Sequence, residues 1–461
     1  MAFKFFRKKK EDALPLRHRT ATEKEDLFCY GFDASSMQGE PSAVVKPVST
    51  DEVSQVLSYA SGKKIPVVPR GAGTGMTGGA VPAKDSIILS LDGMNRVLEI
   101  DKKNMVAVVE PGVINGHLQG KVEAEGLFYP PDPASMNFCT LGGNVAENAG
   151  GPRAIKYGVT RDYVLGLEVV LPDGRVMMTG GKTYKGVVGY DLTRLIVGSE
   201  GTLGVVTKIF LRLLPLPEET VTLLCMYSRL EDAASTVAKI TSSGIIPRTL
   251  EFMDHEAILA VEQYKSFGLP VDAEALLLIE VDGSHSAVSE ETGKVASICT
   301  SLKGKVSIAE DMFARQRIWE ARRSISPALY RIKPTKINED IVVPRGKIPE
   351  MLRALRDISE KYGLKIVNFG HAGDGNIHVN IMTDKNDEDE YQKAKVAVED
   401  IFRATLKLEG TISGEHGIGL TKKQYIGMEL SETSLGMMKA IKKAFDPDGI
   451  MNPGKMFPDT T

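Results

Sequence analysis

Short runs of apolar residues rich in valine, isoleucine and leucine recur along the chain and predict β-strands. Examples in the first half are 65–68, 106–110 and 167–171. Segments with a helical spacing of apolar positions, 51–62 and 113–125, alternate with these runs. The alternation predicts an α+β fold built from short strands.

A domain boundary is predicted near residue 217, because 211–217 carries two prolines directly after a strand-like run. Beyond it, 222–285 and 340–385 each have a strand–helix–strand pattern. Their strands, such as 275–281 and 377–381, are largely apolar. This pattern favours one antiparallel sheet covered by helices.

The composition restricts the class of partner. With 461 residues, 42% hydrophobic content and a formal net charge of -3, the chain has no global electrostatic attraction to nucleic acid or anionic membrane. No apolar run approaches the ~18 residues of a membrane helix. Small molecules and proteins are therefore the expected partners, with no nucleic acid and no transmembrane segment.

The four cysteines form no C-x-x-C pair, which argues against an iron-sulfur cluster or a zinc ribbon in this chain and fits a reducing cytoplasm. The first ten residues place Lys8, Lys9 and Lys10 after the aromatic residues, the wrong order for a secretory signal. We interpret them as a solvated tail, and docking to a partner or membrane surface is the alternative.

Glycine-rich segments dominate the candidate chemistry. The first, 69–79, follows a predicted strand, so its backbone N–H groups can surround a pyrophosphate. Its Gly73, Gly75 and Gly78 match the G-x-G-x-x-G spacing, but no helix-forming run follows directly, and the Gly-Lys-Ser/Thr ending of a phosphate loop is missing. Alone, this segment is a weak signal.

Together with 131–152 and 189–204, this segment resembles the FAD domain of the vanillyl-alcohol oxidase/para-cresol methylhydroxylase superfamily. The resemblance implies a two-subdomain FAD-binding domain, in which the first loop surrounds the pyrophosphate, the second lies along the flavin and the third closes over the adenine half. The FAD contacts that it implies are Arg70, Gly71, Ala72, Gly73, Thr74, Gly78, Pro131, Ser135, Thr140, Gly143, Asn144, Gly150, Glu200 and Val206. Because the first loop contains no histidine, FAD is expected to be non-covalent.

A metal site is predicted around 369–380. Asp374-Gly375 is a strong two-residue hairpin signal between two strand-like runs. That turn would make His371 and His378 direct cross-strand neighbours, with Cβ atoms ~5 Å apart. A third ligand is expected, and Glu415 lies on a glycine-flanked segment beside His416. Two histidines and one carboxylate leave coordination positions open, as in a catalytic metal site. Histidines that only satisfy hydrogen bonds in a sheet are the alternative.

The C-terminal half resembles the FAD-linked oxidase family of D-lactate dehydrogenases, the FAD subunit of glycolate oxidase and D-2-hydroxyglutarate dehydrogenase. The resemblance implies that His371, His378 and Glu415 bind a divalent metal (Zn, Fe or Mn), that His416 is the catalytic base and that Asn452 reaches the flavin. The predicted division is a tail at 1–24, an FAD-binding domain at 25–217, a substrate/cap domain with the metal site at 218–440, and a segment at 441–461 that returns to the FAD domain.

A 2-hydroxy acid also needs an anchor for its carboxylate, which arginine suits. Arg322, in a Trp-x-x-Arg motif similar to that of the family, is the predicted anchor and catalytic residue, and a helix-surface salt bridge is its alternative role. Lys336 is a weaker candidate because its spacing differs from that of the relatives. His371 is also expected to contact substrate.

The predicted reaction is metal-assisted oxidation of a small D-2-hydroxy acid to the 2-oxo acid, with His416 taking the hydroxyl proton and flavin taking the hydride. D-lactate is favoured, with glycolate or D-2-hydroxyglutarate as alternatives. A metal-independent flavin alcohol oxidase and a non-catalytic flavin-binding subunit are the rival interpretations.

Because the chain has no cysteine cluster, an external electron acceptor is expected. The candidates are an electron-transferring flavoprotein, an iron-sulfur subunit, a quinone, a cytochrome or oxygen. The expected location is cytoplasmic, with peripheral membrane association through a partner as the alternative.

Overall fold

The computed structural model describes residues 14–458. The strands of its first part are β1 (Thr20–Ala21), β2 (Ala43–Val45), β3 (Val67–Arg70), β4 (Ile87–Ser90), β5 (Val97–Asp101), β6 (Val106–Val109), β7 (Leu127–Phe128), β8 (Val164–Val170), β9 (Val176–Gly180), β10 (Val205–Arg212) and β11 (Leu214–Pro215). The helices of this part are α1 (Lys24–Tyr30), α2 (Thr50–Lys63), α3 (Asn115–Glu123), α4 (Leu141–Glu147), α5 (Ala154–Tyr157) and α6 (Leu192–Ile196).

Two larger sheets build this first part, and β7 pairs with β11 in a third, two-stranded sheet. One has the order β1-β2-β4-β3, and the other is antiparallel with the order β5-β6-β10-β8-β9. Helix α2 begins where the Ser49 side chain accepts the Glu52 N–H, and it buries Val53, Val56, Leu57 and Ala60 at helical spacing. This apolar face packs in one core with residues of both sheets.

The strands of the second part are β12 (Glu219–Tyr227), β13 (Thr249–Asp254), β14 (Ala275–Gly283), β15 (Lys305–Ile308), β16 (Thr335–Val342), β17 (Lys365–His371) and β18 (Asn376–Thr383). Its helices are α7 (Leu230–Ser242), α8 (His255–Tyr264), α9 (His285–Ser301), α10 (Met312–Arg323), α11 (Ile325–Leu329), α12 (Ile348–Tyr362), α13 (Glu388–Lys407), α14 (Ile426–Glu429) and α15 (Glu432–Phe445).

These seven strands form one antiparallel sheet in the order β15-β12-β14-β13-β17-β18-β16. Because side chains alternate along a strand, the sheet has two buried faces. Helices α7, α9, α12 and α13 contribute to the core on one face, and α8, α10 and α11 to the core on the other. The predicted α+β class, with an antiparallel sheet covered by helices, is confirmed.

The two ends of the described chain pack on the first part. Leu14 and Leu16 pack against the core of the four-stranded sheet, and β1 pairs with β2, so described residues of the predicted 1–24 tail contact this first part. The basic residues 8–10 lie outside the described residues. Near the other end, Met451 bridges to Val67 of β3. Within 14–458, no helix combines the length and apolarity needed to cross a membrane.

Candidate active site

A cavity lies where the glycine-rich loops of the first part meet the 414–419 loop of the second. Most of the predicted FAD contacts line this cavity: Arg70, Gly71, Ala72, Gly73, Thr74, Ser135, Thr140, Gly143, Asn144, Gly150, Glu200 and Val206. Glu415 and His416 line it as well. One cavity therefore collects residues that are distant in the sequence.

The first loop has the features of an anion cradle. A Cβ on Gly71 would lie 2.2 Å from Thr140 Oγ1, and Gly73 has a φ of +70°, so both positions favour glycine. A Cβ on Gly73 would also lie 2.2 Å from Arg70 Nη2 and displace that side chain. The Arg70 side chain is buried, and burial lowers its pKa although the Asp33 carboxylate raises it. A buried guanidinium gains from an anionic neighbour, so these residues fit the pyrophosphate of FAD.

Three predicted FAD contacts, Gly78, Pro131 and Asn452, do not line the cavity. Asn452 Nδ2 donates to the Gly79 and Glu200 carbonyls at 2.9 and 2.8 Å. The Pro131 carbonyl accepts hydrogen bonds from Asn115 and Gln119, and Gly78 faces Leu420. Direct contact of these three residues with FAD stays a prediction.

Glu147 is a cavity residue that the sequence analysis missed, although it lies inside the second glycine-rich segment. One of its carboxylate oxygens is buried without a hydrogen-bond partner. Burial, followed by the neighbouring carboxylates of Glu200 and Asp33, raises the pKa of Glu147 well above its ordinary value. Glu147 therefore brings a carboxyl group without a complete set of hydrogen-bond partners to this cavity.

Replacing Gly73 by alanine is expected to weaken FAD binding at least about tenfold, since Gly73 has a φ of +70° and the new methyl group would displace Arg70. Fluorescence titration of the apoprotein with FAD measures this affinity. The matched control is Gly126→Ala, because Gly126 has a similar φ of +75° but open space around its Cβ. Equal FAD affinity in the two variants would contradict the role of Arg70.

The predicted hairpin register is wrong. His371 pairs with Asn376, and Phe369 pairs with His378, so the connection is the four-residue loop 372–375 rather than a two-residue turn. The loop leaves the β17–β18 ladder because Gly373 N–H donates to the Leu250 carbonyl of β13, and the Gly375 carbonyl accepts from Val343. Because a register difference of two keeps every side chain on its face, the two histidines still converge.

Strand register also brings Glu251 of β13 to His371. Phe252 pairs with Gly370 and Met253 with Phe369, so Glu251 is the next position, facing His371. Glu251 Oε1 lies 2.6 Å from His371 Nδ1 and is completely buried. Burial would raise the pKa of Glu251, but His371 and Arg322 outweigh it and lower that pKa. A carboxylate at Nδ1 leaves Nε2 as the ring nitrogen available to a metal. Burial would lower the pKa of His371, but Glu251 and Glu415 raise it well above its ordinary value, so a metal would take the place of the Nε2 proton.

The three predicted metal ligands converge on one point. His371 Nε2 lies 3.4 Å from Glu415 Oε1 and 3.4 Å from His378 Nε2, and His378 Nε2 lies 3.6 Å from Glu415 Oε1. Atoms about 3.5 Å apart lie about 2.0 Å from the centre of their triangle (3.5/√3), close to the distances of about 2.0–2.2 Å typical of zinc ligands. The donor set therefore fits a divalent metal.

An overlapping set, Asp340, His378, Glu415 and His416, also has ligand atoms within 4.8 Å of one another. Asp340 is already engaged in hydrogen bonds, because its Oδ2 accepts the N–H groups of Gly414, Glu415 and His416 at 2.7–2.9 Å. His416, His378 and Lys422 hold the pKa of Asp340 well below its ordinary value against the opposing effect of burial. Asp340 therefore positions the loop, and the His371/His378/Glu415 triangle remains the predicted metal site.

The loop that carries Glu415 and His416 is also held from the first domain. Glu200 accepts the N–H groups of Ile418 and Gly419 at 2.8 and 2.7 Å, and Thr77 Oγ1 donates to the His416 carbonyl. The His416 ring stacks on His378, with 5.4 Å between centroids and 6° between planes. Burial lowers the pKa of His416 although Asp340 raises it, so its ring is neutral at pH 7 and can accept a proton.

Arg322 lies beside this cluster. Its side chain is 8% exposed, and Nη2 lies 2.6 Å from Glu251 Oε2. The guanidinium lies 4.8 Å above the Phe369 ring, and its buried Nε has no hydrogen-bond partner. Lys336 Nζ donates to Ser326 at 2.6 Å, and burial lowers its pKa to about 8.

Comparisons with known proteins identify the family of both parts of the chain. Residues 41–180 match an FAD binding domain, and residues 216–456 match the C-terminal domain of FAD linked oxidases. The p-cresol methylhydroxylase structure has the same fold, with a TM-score of 0.80 at 19% identity over 96% of this chain and 94% of that one.

Curated relatives are similar over nearly their whole length. Glycolate oxidase subunit GlcD of Bacillus subtilis is 49% identical over 435 residues, covering 93% of this chain and 92% of the relative. D-lactate dehydrogenase of Anaerostipes hadrus is 35% identical over 455 residues, covering 97% and 96%. The chain therefore belongs to the FAD-linked oxidase family.

Proposed function

We propose that this protein uses FAD to oxidise a small D-2-hydroxy acid, with D-lactate favoured, to the 2-oxo acid. The main support is the position of Glu415 and His416. They line the predicted flavin cavity, and Glu415 also completes the triangle with His371 and His378. Relatives named glycolate oxidase subunit and D-lactate dehydrogenase support the same class of substrate.

FAD, when bound, supplies the two-electron acceptor. A divalent metal held by His371, His378 and Glu415 would supply a Lewis acid beside the substrate oxygens. His416 removes the hydroxyl proton, because its neutral ring lies against both the triangle and the flavin cavity. Burial would raise the pKa of Glu415, but the two histidines lower it, so Glu415 is an anionic ligand.

Arg322 is the proposed anchor for the substrate carboxylate. Glu251 fixes one end of the guanidinium, and the buried Nε offers an N–H with no partner in the described chain. Lys336 lies on the same face of the sheet as His378 and is the second candidate, since no carboxylate lies within ion-pair distance of its Nζ among the described residues. An anion would relieve the desolvation that lowers its pKa.

Electrons then pass to an external acceptor, for which we propose an electron-transferring flavoprotein or an iron-sulfur subunit. The name of the Bacillus subtilis relative, a glycolate oxidase subunit, favours a partner chain. A metal-independent alcohol oxidase has no use for the triangle, and a non-catalytic flavin subunit has no use for His416. Both rival interpretations are therefore less well supported.

Anaerobic bleaching of the flavin tests the proposal. The FAD-loaded protein is mixed with D- and L-lactate, glycolate, D-2-hydroxyglutarate and ethanol, and absorbance near 450 nm is followed. We expect rapid bleaching by D-lactate and little by L-lactate or ethanol. Bleaching by ethanol alone would favour the alcohol oxidase, and no bleaching by any compound would favour the non-catalytic subunit.

A further inference from the structure

Glu251 is a buried residue that contacts both the predicted metal ligand His371 and the proposed substrate anchor Arg322. Its two carboxylate oxygens are used separately. Oε1 lies 2.6 Å from His371 Nδ1, and Oε2 lies 2.6 Å from Arg322 Nη2. One rigid carboxylate, with no solvent exposure, therefore touches a metal-ligand histidine and the substrate-anchor arginine at once.

We propose that Glu251 is a positioning residue that orients the metal ligand His371 and the substrate anchor Arg322 together, so that metal affinity and substrate affinity depend on the same carboxylate. This inference rests on the proposed function. Glu251 itself contacts neither metal nor substrate in this proposal and acts through its two neighbours.

The effect on the metal follows from hydrogen bonding. A carboxylate at Nδ1 requires a proton on that nitrogen, so Nε2, which lies 3.4 Å from Glu415 Oε1 and 3.4 Å from His378 Nε2, is the ring nitrogen left to hold a metal. Without the acceptor, the ring is free to rotate and to exchange tautomers. A loss of about 10–100-fold in metal affinity is the usual consequence of removing such an outer partner.

The effect on the substrate follows from geometry and burial. The Arg322 guanidinium is held by Glu251 and by the Phe369 ring, and its buried Nε keeps no hydrogen-bond partner among the described residues. Held in this way, the guanidinium loses little freedom when it binds a carboxylate. Released from Glu251, it must be ordered by the substrate itself, and KM rises.

The register of the sheet explains why Glu251 can contact both His371 and Arg322. Glu251 and His371 are neighbours across β13 and β17, and Phe369 lies two residues before His371 on the same face. Helix α10 brings Arg322 over this face. Its position is fixed by Glu280, which accepts hydrogen bonds from Trp319 Nε1 and Arg315 Nε, each at 2.7 Å.

The test compares Glu251→Gln with the wild type in two assays on FAD-loaded protein. Zinc affinity of metal-stripped protein is measured by competition with a chromogenic chelator, and KM and kcat are measured with D-lactate and an artificial dye. We expect zinc affinity to fall at least about tenfold and KM to rise at least about tenfold, with a smaller change in kcat at saturating zinc.

The double variant Glu251→Gln/Arg322→Gln separates positioning from general damage. Because Glu251 acts on the substrate only through Arg322, adding Glu251→Gln to Arg322→Gln should raise KM little further, while zinc affinity still falls fully. Additive increases in KM would overturn the proposal. The control Glu256→Gln changes a partly exposed carboxylate of α8 that pairs with Lys365 at 2.6 Å, outside the candidate site, and should leave both constants unchanged.

Glu251→Asp keeps the test decisive if the glutamine variant does not fold. Its carboxylate is one methylene shorter and cannot span both partners, so zinc affinity or KM should change at least about tenfold. Wild-type values in both assays would overturn the proposal. The zinc assay needs no turnover. A wild-type protein that oxidises no D-2-hydroxy acid would therefore reject the proposed function and the substrate half of this inference, but not the metal half.

Discussion

Replacing His416 by alanine is expected to lower kcat for D-lactate by about 10²–10⁴-fold, the usual contribution of a positioned general base. The substitution should leave the 414–419 loop in place, because contacts to its main chain hold it. Asp340 accepts the His416 N–H, and Thr77 donates to the His416 carbonyl, so the loop stays in place without the ring. FAD should remain bound, with an unchanged absorbance spectrum, because the cavity retains its glycine-rich loops.

Anaerobic stopped-flow reduction of the flavin measures this effect directly, since it isolates the chemical step from the later transfer of electrons. His117→Ala is the matched control, because His117 is an exposed histidine of α3 in the first domain. It should reduce flavin at the wild-type rate. A reduction rate within about threefold of wild type in His416→Ala would exclude His416 as the base.

Local patterns were sufficient to predict several elements of the fold. Apolar runs and helical spacing correctly indicated strands such as β6 and β14 and helices such as α2. They did not predict the register in which β17 pairs with β18. The Asp374-Gly375 signal favours a two-residue turn, but contacts of the loop with Leu250 and Val343, both distant in sequence, impose a four-residue loop. Tertiary hydrogen bonds outweighed the local turn preference.

Site residues in glycine-rich or histidine-containing motifs could be predicted from the sequence. Buried acidic residues that only support those motifs could not. His371, His378 and Glu415 converge as expected. Glu251 and Asp340 carry no motif of their own, because a buried glutamate in an apolar strand becomes informative only when its cross-strand neighbour is known. Arg322 shows a related limit, since the sequence left open a surface salt bridge and the structure shows a buried pair with Glu251.

Removing the metal should abolish most of the activity while leaving the flavin in place. We expect prolonged treatment with a strong chelator to lower kcat/KM for D-lactate at least about 100-fold, because Lewis-acid assistance contributes several kcal/mol. Glu415→Gln should reproduce the loss, since an amide oxygen carries no net charge and binds a divalent ion less tightly than a carboxylate. Metal content and the flavin spectrum are measured on the same samples.

Restoration by added metal distinguishes the metal effect from damage by the chelator. Zinc, manganese or ferrous ion should restore the stripped wild type but not Glu415→Gln, because the triangle of the variant lacks its only anionic ligand. Glutamine preserves the volume of Glu415, which matters because the side chain lies against Gly150, where a Cβ would be 2.6 Å from Glu415 Oε2. Full activity in metal-free protein would exclude the Lewis-acid role and leave His416 to act on an unassisted hydroxyl group, the chemistry of a simple alcohol oxidase.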